Sequence, residues 1–150
     1  FYELVTKCPN LKFKVIGAPR DKTGFFYYEK IKTCKNVKLY GKLGHKETMH
    51  HILNSKGLIS TSPMEGFPNV FIEAWVYGLP VFSLYFDPGD VILKERLGVI
   101  ANGDMEKLVN AINNEEFSSE FTQKAKNYII KNHALNTEKV HEIVNLFNSI

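Results

Sequence analysis

Short apolar runs of strand length alternate along this chain with stretches in which apolar residues recur at helical spacing. The runs predict strands at 12–16, 37–40, 58–61, 80–84 and 98–101. Helices are expected at 1–7, 25–34, 46–55, 70–77, 105–114, 119–132 and 137–148, the last with Val140, Ile143, Val144 and Phe147 on one face. Such alternation predicts an α/β fold: a Rossmann-like parallel sheet with helices on both faces. Turn residues follow each strand, among them Gly17-Ala18-Pro19, Gly41 to Gly44, Ser62-Pro63, Asp87-Pro88-Gly89 and Asn102-Gly103-Asp104. They lie at the strands' carboxyl ends, where open parallel sheets bind ligands. The chain opens on what reads as the second half of a helix, so it is expected to be a piece of a longer protein, cut on its amino-terminal side.

Composition refines this picture. With 150 residues and 44% hydrophobic content the chain fits one domain with a real core. No apolar run approaches the roughly 20 residues of a membrane-spanning helix, and residues 1–8 lack a secretory pattern, so a cytoplasmic location is expected. Cys8 and Cys34 fall in predicted helices without CxxC spacing and read as free thiols. Residues 1–60 hold 12 basic and 4 acidic side chains, residues 61–150 hold 7 and 12. The lysines of the basic part are interleaved with apolar residues as on a solvated outer face, so nucleic acid is not an expected partner.

The candidate chemistry lies in EGFPNVFIE, residues 65–73. The following helix is apolar at nearly every position and is expected to be buried, with Glu73 its single charge. Burying an unpaired carboxylate costs several kcal/mol in order of magnitude, so Glu73 calls for a partner such as a pair of ligand hydroxyls. Pro68 disfavours helical geometry for Phe67 and places Asn69 as helix cap. Helix side chains lean toward the amino terminus, which brings Glu73 toward the loop that carries Glu65. The helix start offers unpaired amides to a phosphate, and Gly66 allows close approach. A phosphate beside carboxylates that face hydroxyls describes a nucleotide sugar.

At these residues the chain resembles the retaining glycosyltransferases of family four, specifically the carboxy-terminal, donor-binding half of their GT-B architecture. EGFPNVFIEAWVYGLPV matches the family's two glutamates separated by seven residues, with CPNLKFKVIG, NVKLYGKL, LISTSPMEG and LGVIANGDMEKLVNAI in support. The resemblance implies that Glu65 is the catalytic-side contact to the transferred sugar. It further implies that the backbone of Gly66 and Phe67 holds sugar or phosphate oxygens, that Asn69 and Val70 offer amides to the distal phosphate, and that Glu73 binds the ribose hydroxyls. Lys42 and Leu43 take the position that meets the base. The implied reaction moves a sugar from a nucleoside diphosphate sugar to a hydroxyl with retention, without a required metal, in polysaccharide or glycolipid synthesis. The family's basic phosphate clamp and its acceptor domain have no counterpart here, so the isolated chain is expected to be inactive. Peripheral membrane association of the parent protein is a further expectation.

Other residues invite blander readings. His45, His50 and His51 lack carboxylate or cysteine companions at metal-ligand spacing and read as surface or capping groups; His133 and His141 carry no signal. Trp75 and Tyr77 read as core, and the aromatic cluster at 25–28 reads as core over an acceptor or membrane contact, because Phe25, Tyr28 and Ile31 have helix-face spacing. The carboxylates of Asp87 and Asp90 face either sugar hydroxyls or solvent. Sugar-nucleotide epimerases, which share the two-domain architecture, and a non-catalytic nucleotide-binding module are the alternatives. The absence of GxGxxG disfavours a dinucleotide oxidoreductase.

Overall fold

The computed structural model describes residues 1–114 and 117–133. The helix expected at 137–148, with His141, lies outside them. Among the described residues, five strands form: β1 (Phe13–Ile16), β2 (Val37–Gly41), β3 (Leu58–Ser60), β4 (Val81–Ser83) and β5 (Gly98–Ile100). Seven helices join them: α1 (Tyr2–Lys7), α2 (Lys22–Lys32), α3 (His45–Leu53), α4 (Asn69–Val76), α5 (Val91–Lys94), α6 (Met105–Asn114) and α7 (Ser119–Asn132). Both thiols are free, and they sit just past helix ends, Cys8 after α1 and Cys34 after α2, rather than inside helices as expected.

All strand pairs are parallel, but the hydrogen-bonded ladder falls into two sets, β1 with β2 and β3-β4-β5. A single core unites them. Phe13 of β1 packs in one apolar cluster with Leu4, Val5, Phe82, Leu84 and Leu108, which binds α1 and α6 to both sets. A second cluster gathers Phe71, Trp75, Val81, Ile92, Leu97 and Phe121 beneath α4, α5 and α7. Helix contacts divide the same way: α1 touches α2 and α6, while α4 touches α3 and α7. Right-handed crossovers with helices on opposite faces make β1→β2 advance one way and β3→β4→β5 the other. The chain direction therefore reverses between β2 and β3, and β3 begins the second run.

Local chemistry fixes the element ends. Asp21 caps α2 by accepting from Gly24 N at 2.7 Å, and Asp104 caps α6 by accepting from Lys107 N at 2.9 Å. Glu47 reaches back to Gly44 N at 3.1 Å and secures α3. Gly98 is required by proximity, because a Cβ there would stand 1.9 Å from Val81 O in the β4–β5 ladder. Gly78 closes α4 at φ +70, with Leu79 N bonded to Ala74 O at 2.9 Å.

The turn expected at Asp87-Pro88-Gly89 is present, but the short helix α5 that follows it was not predicted. Asp87 builds them: its Oδ1 accepts from Ile92 N at 2.8 Å and its Oδ2 from Leu93 N at 3.0 Å. Asp90 pairs with Lys94 at 3.1 Å. The first carboxylate is thus spent on capping and the second on a surface ion pair.

Candidate functional site

The loop from β3 to α4, residues 61–68, leaves the first strand of the second run at its carboxyl end. Ser62 Oγ donates to Met64 O at 3.2 Å in a local turn, and Met64, Glu65 and Gly66 stand exposed. A Cβ on Gly66 would meet nothing within 4 Å, so the backbone there is open to approach. Phe67 anchors the far end of the loop. Its ring centroid lies 6.4 Å from Trp75 and 5.3 Å from His133. Trp75 is fully buried, donates from Nε1 to Leu97 O at 2.9 Å, and meets Phe71 and Tyr128 edge to face. The expected core role of Trp75 stands, and Tyr77 is half-buried beside it.

Helix α4 differs from expectation in two ways. It is not buried all round: Phe71, Ala74 and Trp75 face the core, whereas Val70 and Val76 are 44% and 42% exposed. Pro68, not Asn69, is the residue before the first helical turn, and no side chain caps this end. The reason is steric and local: Pro68 holds φ −68 and ψ 118 and passes directly into the helix, so Asn69 already has helical geometry. The amides of Asn69 and Val70, ahead of the first helical bonds, face a terminus of partial positive charge. Asn69 and Glu73 are four apart and share the solvent-side face.

Glu73 is half-buried and Glu65 exposed, and neither makes a hydrogen bond or ion pair with any described residue. Two carboxylates with all their acceptor capacity unspent thus flank an uncapped helix start. Lys42 and Leu43 follow β2 at the same carboxyl edge. Leu43 helps line a shallow hollow of about 450 Å³ with Tyr40, Lys46, Glu47, His50 and His51, while Lys42 is exposed. The His51 ring packs 4.1 Å from Tyr40, a packing contact where a surface or capping role was expected. A second hollow of about 520 Å³ on the α6 flank, lined by Asp104, Glu106 and Lys107 among others, includes none of the expected site residues. No cluster of three His, Cys, Asp or Glu among the described residues could hold a metal ion.

Sequence reasoning missed His133. It stands one residue beyond α7, yet its ring rests 5.3 Å from Phe67 and 5.4 Å from Tyr128. No sequence pattern signals this contact, because it joins residues 66 positions apart.

A family profile described as "Glycosyl transferases group 1" matches residues 1–132, nearly all of the described chain. The chain belongs to the group 1 glycosyl transferases. Among curated relatives of this group 1 domain is the poly(ribitol-phosphate) alpha-N-acetylglucosaminyltransferase of Staphylococcus aureus (strain COL). The two are 32% identical over 159 residues, covering 98% of this chain and 31% of the relative. The chain thus spans about a third of that relative's length. A crystal structure of a S. aureus TarM variant in complex with fondaparinux, alpha-GlcNAc-glycerol and UDP superposes with a TM-score of 0.71 at 29% identity, covering 98% of this chain and 31% of that one. AviGT4, a glycosyltransferase involved in avilamycin A biosynthesis, shares the fold with a TM-score of 0.59 at 15% identity, covering 83% of this chain and 40% of that one.

Proposed function

We propose that this group 1 domain is the donor-binding half of a retaining, family-four glycosyltransferase and holds a nucleoside diphosphate sugar at the start of α4. The unspent carboxylates of Glu65 and Glu73 beside an uncapped helix carry this reading. In it the distal phosphate sits on the Asn69 and Val70 amides, where the helix dipole offsets charge that grows as the diphosphate departs. Glu73 accepts hydrogen bonds from the ribose hydroxyls, charge-assisted contacts of about 1.5–3 kcal/mol each. Glu65 meets the transferred sugar on its reacting side, and the open backbone at Gly66 and Phe67 admits sugar or phosphate oxygens. Lys42 and Leu43 border the base. Uridine is the first base to try and N-acetylglucosamine the first sugar, since the TarM structure holds UDP and alpha-GlcNAc-glycerol. Polysaccharide synthesis in the cytoplasm, without a metal, completes the reading. A longer parent protein supplies the acceptor-binding half and the basic clamp for the leaving diphosphate, and the chain alone does not turn over.

Saturation-transfer NMR with uridine, guanosine, adenosine and cytidine diphosphates and their sugars tests it, with Glu73→Ala as control. Transfer concentrated on the ribose of one nucleotide, and lost in the variant, is the expected result. No transfer, either with this chain or with the full-length protein, removes the assignment. Binding with no turnover by the full-length protein, across acceptors, points instead to a nucleotide-binding module.

A further inference from the structure

The aromatic cluster of α2 does not join the core as its spacing predicts. Phe25 and Phe26 are each 57% exposed and Tyr27 is 47% exposed, while Ile31 is the buried residue of the helix. The physical reason is the narrow seat of α2, which rests on β2 and α1 and leaves most of its circumference in solvent. At about 100° per residue, Phe25 and Phe26 lie roughly 120° and 140° around the helix from the buried Ile31 and point away from it, while Tyr27 lies nearer its edge.

Basic side chains surround these rings. Residues 20–35 carry Arg20, Lys22, Lys30, Lys32 and Lys35 against Asp21 and Glu29, a net charge of +3. Both acids are engaged locally: Asp21 caps the helix, and Glu29 pairs with Lys32 at 3.7 Å. Lys30 Nζ sits 4.4 Å from the Phe26 ring centroid and 5.4 Å from that of Tyr2, so charge and aromatic surface are held together.

We infer that α2 is a docking face for an anionic lipid bilayer. Its aromatic rings enter the headgroup boundary while Arg20, Lys22 and Lys30 meet lipid phosphates. The charge is complementary to such a surface, and apolar bodies ringed by cations are what an interfacial helix requires. The face is a convex helix exterior. It suits a deformable plane better than single-stranded nucleic acid, which is held in a groove that tracks its backbone. This inference does not depend on the donor-site reading, since α2 contributes none of the site residues.

The test is co-sedimentation of the full-length protein with vesicles of phosphatidylcholine alone or mixed with phosphatidylglycerol. Binding is expected only to the mixed vesicles and is expected to weaken with added salt. The double variant Phe25→Ser/Phe26→Ser and the double variant Lys22→Glu/Lys30→Glu should each lower vesicle affinity about tenfold or more. All four side chains are exposed, so circular dichroism and nucleotide binding should be unchanged. Equal vesicle binding by wild type and both variants overturns the inference. So does a loss of self-association or of nucleic-acid binding in the variants with no change on vesicles.

Discussion

Glu73→Gln separates a ligand carboxylate from a structural one. Glu73 is half-buried and makes no internal hydrogen bond or ion pair with the described residues, so its charge supports nothing in the fold. Its replacement should change stability by no more than about 0.5 kcal/mol. Binding should respond differently. The carboxylate accepts from two ribose hydroxyls in the proposed complex, and the amide keeps one acceptor while losing the charge. A charge-assisted bond contributes about 1.5–3 kcal/mol, and partial solvent access favours the lower end, so a loss of about 2 kcal/mol, roughly 30-fold in Kd, is expected. Calorimetric titration of both proteins with a nucleoside diphosphate and with its 2′,3′-dideoxy analogue forms a double-mutant cycle. The variant and the analogue should each weaken binding, and the variant should discriminate between the two ligands much less than wild type does, since the charge-assisted part of the interaction is then already absent. An equal loss on both ligands, or a fall in Tm of several degrees, would refute the argument by showing that Glu73 acts on the fold.

Three further outcomes follow from the packing. Trp75→Phe removes the donor to Leu97 O, which keeps its bond from Val81 N, and leaves a cavity of roughly 40 Å³; the sum of about 2 kcal/mol should lower Tm by about 4–8 °C in a thermal melt. Because Trp75 also backs Phe67, nucleotide affinity should fall with it. Asn36→Ala removes the 2.9 Å side-chain donor from both Val5 O and Cys8 O, of which Cys8 O keeps its bond from Leu11 N, and should cost about 1–2 kcal/mol by chemical denaturation while leaving nucleotide affinity unchanged. Burial raises the Cys8 thiol above its ordinary value, against the opposing hydrogen bond from Asn113 Nδ2. The unfolded chain therefore loses this proton first, so stability from Cys8 is full below the ordinary thiol pKa and drains as pH rises through the folded one. The stability margin of wild type over Cys8→Ala should narrow across that alkaline window.

The strands were legible to within a residue or so because each is a short apolar run closed by Gly, Pro, Asn or Asp, and a run of that kind has few other ways to be buried. The glutamate motif stood out for a different reason: a lone carboxylate in an apolar helix, eight residues after another in a glycine turn, is a pattern that packing alone does not call for. What escaped notice depended on neighbours distant in sequence. Helical periodicity at Phe25, Tyr28 and Ile31 shows that a face exists but not whether anything covers it, and here Ile31 is buried, Tyr28 half-buried and Phe25 exposed. Asp87 was expected to face either sugar hydroxyls or solvent, whereas two amides five and six residues onward claim its oxygens. His133 reaches Phe67 only through the packing of α7 against α4. Asn69 lost the cap position to Pro68 because a proline's fixed φ already suits the step into a helix.

The placement of Glu65 follows from topology as much as from its motif. At most strand ends of a parallel sheet, the outgoing loop crosses directly to a helix on the same face as its neighbour's, and adjacent loops crowd one another. Where the direction of advance reverses, the helices leave to opposite faces and a crevice opens between their loops. In this chain that reversal falls between β2 and β3, with α2 on one face and α3 and α4 on the other. The β3–α4 loop is the first connection of the second run at that reversal, and it carries Glu65 and Gly66 exposed while Phe67 fastens its far end to Trp75. An aromatic anchor beside an open, carboxylate-bearing turn ties the loop to the core at the start of α4 and leaves the Glu65 side chain exposed, as the proposed contact to the transferred sugar requires.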